Sequence, residues 1–246
     1  MNQAAGEDHE KRGSAPHQKK TLVVATHNQG KVAEIQRILA DSLGQAAEGL
    51  IAVTSASLGL PDPEETGTTF EENALLKARD AAERTGFPAM ADDSGLIVDL
   101  MGRAPGVLSA RWAGRHGDDA ANNALLLNQL SDIPDGKRQA RFCCACALVI
   151  PRQESGNHQG ERGYKEYVET GVMPGIIIRQ PRGENGFGYD PIFVPDDQSQ
   201  VSSGQFEATG GRPLTTAQMT AEQKNTISHR GAALRAMAAH IKDIVG

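Results

Sequence analysis

Apolar residues recur along the chain in two rhythms, and the change from one to the other marks its elements. TLVVAT, residues 21–26, is a short unbroken run rich in β-branched residues, as in a buried strand. The polar loop His27-Asn28-Gln29-Gly30 follows, and then Val32, Ile35, Ile38 and Leu39 repeat at helical spacing. The unit predicted is strand, tight polar loop, helix. A second helix is expected after Thr69, because Thr69 and Glu72 fit the capping box T-x-x-E. Phe70, Ala74, Ala78 and Ala81 form its apolar stripe, while Asn73 and Lys77 share another face. PAMA and LIVDLM then read as two strands split by an acidic turn, Asp92-Asp93-Ser94-Gly95, since Asp and Gly favour turns.

Further on, the pattern predicts a helix over Asp119 to Leu130 and a buried strand around Cys144 to Ile150. Shorter strands are expected at Tyr164–Glu169, Ile176–Arg179 and Ile192–Val194. Residues 152–163 read as a surface loop, and residues 196–213, rich in Gly, Ser and Gln, as a mobile insertion. The last helix is placed from Thr220, capped by Gln223, with Ile227, Leu234, Met237, Ile241 and Ile244 as its apolar face. Residues 1–20 are polar, lack the apolar stretch of a secretory signal, and read as a disordered tail. Residues 21–246 show no repeat and no change of composition, so they read as one domain. Strands and helices without strict alternation predict an α/β or mixed α+β class.

Composition narrows the partners. The 246 residues carry a net charge of −6, with 39% apolar and 23% charged residues, an ordinary soluble composition. An acidic total argues against non-specific nucleic-acid binding, yet leaves room for a small anion held by a local cluster of cations. No apolar run approaches the ~18 residues of a membrane span. Cys143, Cys144 and Cys146 are too closely spaced for a usual zinc site and make no even disulfide set. They read as free thiols filling a buried strand in a reducing cytoplasm.

Four segments could carry chemistry. Thr26 to Lys31 joins a strand to a helix N-terminus, where backbone N–H groups and the helix dipole favour an anion. It is not a Walker A loop, since Ala25 and Val32 stand where that motif needs Gly and Ser or Thr. Adjacent Asp92 and Asp93, with acids upstream at Glu64, Glu65, Glu71 and Glu72, suit a divalent cation, or alternatively a solvated turn. Gly183 to Pro191 combines glycines with Phe187 and Tyr189, whose flat faces could stack on a purine while Asp190 or backbone groups read its edge; a structural turn is the competing reading. Lys224 to Arg230 places cations at a helix start, against the dipole there, the kind of local conflict found at working sites as well as on solvated faces.

Together these segments resemble the inosine-triphosphate pyrophosphatase family, the Ham1-like or RdgB-like enzymes. The stretches that carry the likeness are VVATHNQGKVAEI, EETGTTFEENALLKARDAA, ADDSGLIVDLMGRAPGVLSARWAG, NGFGYDPIF and EQKNTISHRGAAL, which span residues 21 to 240 in order. The resemblance implies a two-lobed α/β fold with a central mixed, twisted sheet flanked by helices, a cleft between the lobes, and a cytoplasmic homodimer. It implies hydrolysis of purine nucleoside triphosphates with the wrong base (ITP, dITP, XTP) to the monophosphate and pyrophosphate. Thr26, His27, Asn28, Gln29, Gly30 and Lys31 would hold the triphosphate. Asp93 would activate water, and Asp92, Asp93 and Glu64 (or Glu65) would serve Mg2+. Ser94, Phe187, Gly188, Tyr189, Asp190, Lys224, His229 and Arg230 would contact the substrate. The first loop departs from the family's usual T-G-N, reading Thr26-His27-Asn28, so either the loop is shaped differently or His27 itself faces solvent or a phosphate. A hydrolase with another nucleotide preference and a non-catalytic nucleotide sensor are the rival readings.

Overall fold

Strand β1 (Lys20–Val24) leads through a four-residue loop, 25–28, into helix α1 (Gln29–Leu43), as the spacing of apolar residues predicts. The structure is a computed structural model that describes residues 19–152 and 163–245. The expected tail, save its last two residues, and most of the expected 152–163 loop lie outside the described residues. After α1 come β2 (Leu50–Thr54), α2 (Phe70–Thr85), β3 (Ala89–Val98), α3 (Asp119–Gln129), β4 (Gln139–Pro151) and β5 (Tyr164–Ile177). They are followed by β6 (Phe193–Pro195), α4 (Ser203–Ala208), α5 (Ala221–Ile227) and α6 (His229–Val245). The six strands form one mixed sheet in the order β2-β1-β3-β4-β5-β6. β1 runs parallel to β2 and β3, and the pairs from β3 to β6 are antiparallel. The fold is the mixed α/β class expected.

Alternation along the strands assigns each helix its face. Leu22, Val24, Met90, Cys144, Cys146 and Leu148 pack with α1 and α6 through Ile35, Leu39, Leu234, Met237 and Ile241. Val23, Ala89, Ala91, Ala145, Ala147 and Val149 pack with α2 on the other face. The α2 stripe is mostly alanine, so its backbone approaches the sheet closely. A third cluster sits under α3, where Leu126 and Leu130 meet Leu96, Phe142, Met173 and Phe193. The cysteines are free thiols, two of them buried, as expected of core fillers.

Four expectations change. The acidic turn does not exist: Asp92 to Gly95 lie inside β3, paired residue for residue with Cys146 to Cys143 of β4. Long-range pairing outweighs the local turn preference of Asp and Gly. Tyr164–Glu169 and Ile176–Arg179 are not separate strands but largely one, because β5 pairs with β4 along its whole length. It tolerates Pro174, whose carbonyl accepts from Asp196 N just past the end of β6, where the missing N–H has no strand to bond. The 196–213 segment is not a loose insertion. It contains α4 with a Ser202/Gln205 capping box, and Gln198 hydrogen-bonds both backbone groups of Leu214. The last helix is two helices. Thr220 and Gln223 cap α5 as predicted, but Ser228 is extended and starts α6, its Oγ accepting from Gly231 N at 2.9 Å. β2, a short run rich in β-branched residues, completes the sheet edge.

Candidate active site

An open cleft of about 1070 Å³ collects the candidate residues from every part of the chain. Thr26, His27, Asn28 and Lys31 line it from the first loop, Glu64 and Glu65 from the segment before α2, and Asp92, Asp93 and Ser94 from β3. Phe187, Gly188, Tyr189, Asp190, Lys224, His229 and Arg230 line its other end. Gln29 and Gly30 form the first turn of α1, in which Lys31 N donates to Asn28 Oδ1 at 3.2 Å.

Because side chains alternate along β3, its two aspartates address opposite faces. Asp92 turns toward α1 and α6, and is buried. Arg230 Nε donates to its Oδ2 at 3.0 Å, and Lys31 Nζ lies 3.3 Å from the same atom. Burial alone would raise the proton affinity of Asp92, but Lys31, Arg230 and Lys77 outweigh it and hold the group well below the usual carboxylate range. Its Oδ1 is buried without a hydrogen-bond partner. Arg230 is also buried and bridges three elements, reaching Glu34 Oε2 at 2.5 Å and Ser94 Oγ at 2.9 Å. Thus the cation that opposes the α6 dipole is held by two carboxylates.

Asp93 faces α2 and has the opposite character. Burial raises its proton affinity, and Glu65 adds to that, more than Lys77, Lys31 and Asn73 lower it. Asn73 Nδ2 donates to Oδ2 at 3.1 Å, and Lys77 Nζ stands 3.6 Å from Oδ1. Lys77 also bonds Glu65 Oε1 at 2.8 Å, and Arg111 Nη1 lies 3.8 Å from Glu65 Oε2. Glu65 is therefore the member of the acidic pair joined to this cluster. A buried carboxylate of raised proton affinity beside one held ionised separates a proton acceptor from a fixed charge. Gly95 permits this strand to meet the next turn: a Cβ there would lie 2.5 Å from Gly106 O and Ser109 Oγ.

Among the described residues, no three His, Cys, Asp or Glu side chains converge tightly enough to hold a metal ion alone. Magnesium asks less of the protein, taking a few carboxylates and completing its shell with water and phosphate oxygens. The donor set suits it. Glu65 adds to the cost of ionising Asp93, which a cation would offset, and Asp92 Oδ1 is a buried acceptor without a donor.

At the far end, Phe187 is 43% exposed, with Lys224 Nζ 5.2 Å and Arg230 Cζ 5.9 Å from its ring centre. It offers the stacking face. Tyr189 does not: its ring is 4% exposed and its hydroxyl donates to Ser109 O at 2.9 Å. Asp190 is likewise an internal fastening, accepting from Phe187 N, Lys224 Nζ and Thr216 Oγ1. Both backbone groups of Gly188 are taken by α3, its N–H by Asp119 at 2.6 Å and its carbonyl by Asn123 at 2.9 Å. His229 stacks on Phe142 at 5.0 Å. Burial, then the charges of Arg230 and Lys224, hold it neutral, and its Nδ1 has no partner. Glu34, Arg111, Asp119 and Asn123 had no assigned role in the sequence; Glu34, one turn on from Lys31, carried the only local hint.

Residues 22–240 match the family model described as Ham1 family. The dITP/XTP pyrophosphatase of Bifidobacterium longum subsp. infantis is 55% identical over 249 residues, covering 91% of this chain and 99% of its own. That of Nocardia farcinica is 50% identical over 214 residues, covering 87% and 91%. The Ham1 protein of Staphylococcus aureus superposes with a TM-score of 0.70 at 35% identity, covering 92% of this chain and all of that one (100%). No helix among the described residues is long and apolar enough to cross a membrane.

Proposed function

The chain belongs to the Ham1 family, and from that footing we propose that it is a dITP/XTP pyrophosphatase. It hydrolyses purine nucleoside triphosphates carrying an aberrant base, ITP, dITP and XTP, to the monophosphate and pyrophosphate, and so clears them from the nucleotide pool. The observation that carries the reading is Asp93, a buried carboxylate of raised proton affinity in a cleft lined with cations. Raised affinity keeps a carboxylate weakly basic near neutral pH, the property a water-activating group needs.

In this reading the triphosphate lies along Thr26 to Lys31 at the α1 N-terminus, where backbone N–H groups and Lys31 face it. Asp93 takes a proton from water as its oxygen attacks the α-phosphorus. The bond to the bridging oxygen breaks, and pyrophosphate carries away the electron pair. Lys31 and Lys77 stand where negative charge grows on the phosphates. Asp92, Asp93 and Glu65 (or Glu64) would hold magnesium, which would supply positive charge against the triphosphate. Asp92 stays ionised and orients Arg230 and Lys31. The base stacks on Phe187, with neutral His229 and the cations Lys224 and Arg230 around it. Donors there favour a 6-oxo purine, because adenine's amino group would leave them unpaired. The same reading carries a cytoplasmic homodimer, which sedimentation of the purified protein tests.

A nucleotide panel with magnesium tests the activity. dITP, XTP and ITP are expected to give monophosphate and pyrophosphate, with ATP and GTP poor substrates. Orthophosphate and a diphosphate as products would overturn the cleavage position.

A further inference from the structure

Both ring nitrogens of His27 are committed to protein acceptors. Nε2 donates to the Leu60 carbonyl over 2.8 Å, and Nδ1 meets the Asp62 carboxylate. A carbonyl only accepts, so Nε2 donates the proton of that bond, and Nδ1 is paired with the Asp62 carboxylate. The imidazole is therefore spent, and it has no donor left for a phosphate. Both acceptors lie in residues 60–67, a stretch with no helix or strand that runs into α2 and carries Glu64 and Glu65. Such a stretch has no backbone ladder to place it, so individual bonds must. At its start Leu60 N donates to Ser55 O at 3.1 Å, and at its end Gly67 N donates to Asn73 Oδ1 at 2.8 Å. Between these, Lys77 holds Glu65 from the α2 side. His27 is the tie from the opposite wall, across the cleft's first loop.

We propose that His27 is a positioning residue that fastens the acidic strap, residues 60–65, to the phosphate loop and so sets how Glu64 and Glu65 face Lys31 and Asp93. A histidine suits the task because it presents two polar ring nitrogens at a fixed angle on a short, stiff side chain. The strap then moves with the loop, and the acidic and basic walls of the cleft keep one spacing. The consequence for turnover rests on the proposed hydrolysis of dITP; the mechanical part does not.

The test uses the full chain and three variants, His27→Ala, Asp62→Ala and the double variant. Amide hydrogen exchange without nucleotide is expected to be at least about tenfold faster over residues 60–66 in each single variant, with α2 unchanged. With dITP, the magnesium concentration for half-maximal rate should rise several-fold in both single variants, and in Asp62→Ala kcat at saturating magnesium should change by less than about twofold. The double variant should be no worse than the worse single one. Unchanged exchange over 60–66, or losses that simply add, would overturn the proposal. Asp62 is the safer variant, being 63% exposed at its side chain, so it decides the matter if His27→Ala fails to fold. If the natural protein does not turn over dITP, the pyrophosphatase reading falls, and the exchange measurement still judges the strap.

Discussion

Asn73 Nδ2 donates to Asp93 Oδ2 across 3.1 Å, while the same amide's Oδ1 accepts from Gly67 N at 2.8 Å. One buried side chain on α2 thus ties the end of the acidic strap to the proposed base. Asn73→Ala leaves buried Asp93 and half-buried Gly67 each short of a bond, which costs about 1–3 kcal/mol. A denaturant titration should show that loss, together with a lowered kcat for dITP.

Asp93→Asn should separate activity from stability. Folding raises the proton affinity of Asp93, chiefly by burial. The stability contribution of such a group is complete below its unfolded pKa and is lost as pH rises through the folded one. Ionised Asp93 therefore costs stability at pH 7, a cost Asn does not carry. The variant is expected to melt higher than the natural protein at neutral pH, the gap closing toward about pH 4, and to lose about 10²- to 10⁴-fold in turnover. The natural enzyme's rate should fall as acid protonates Asp93. A variant that melts lower would mean that the charge of Asp93 holds the fold.

Arg230 is a different case, because its partners Asp92 and Glu34 are carboxylates packed beside it with 1% and 12% of their side chains exposed. Arg230→Met leaves Glu34 without its cation and Asp92 with Lys31 alone, and breaking a buried pair in this way costs about 3–5 kcal/mol. Arg230→Lys is not expected to rescue it. One ammonium cannot reach Asp92, Glu34 and Ser94 in the directions the guanidinium does.

Gly171→Ala tests the seat of α6. A Cβ there would lie 2.0 Å from His229 O and 2.7 Å from Ala233 N, both backbone atoms. The helix must shift off β5, at about 1–3 kcal/mol. Since His229 and Arg230 begin that helix, KM for dITP should rise along with the loss of stability; a normal KM would show that the base pocket tolerates the shift.

Removal of divalent cations by a chelator should stop turnover, and magnesium should restore it. Persistent activity in chelator would refute the metal reading of Asp93 and Glu65.

What could be read from sequence alone was local. The loop between β1 and α1, the Thr69 and Thr220 caps and the odd-even core pattern all depend on neighbours within a few residues. The break between α5 and α6 escaped because Ser, Thr and Asn there also suit a continuous helix. The supposed turn at Asp92-Asp93 failed for another reason. Its strand character comes from Cys146 and Ala145, more than fifty positions away in sequence. Glu34 was invisible as a site residue, since its partner Arg230 lies 196 positions downstream. Tyr189 and Asp190 line the cleft, yet composition could not show that a protein carbonyl and three protein donors already occupy them.

The pleat of β3 sends one aspartate into each of the two layers that sandwich the sheet. Asp92 is completed by α1 and α6, Asp93 by α2. On the roles proposed for them, turnover requires both layers to be docked at once. Asn73 and Lys77 precede Asp93 in the chain, whereas Arg230 follows Asp92 by 138 positions. The enzyme is in this sense its own inspector: a molecule that has failed to seat its last helix cannot work, and hydrolysis reports complete assembly rather than a partial one.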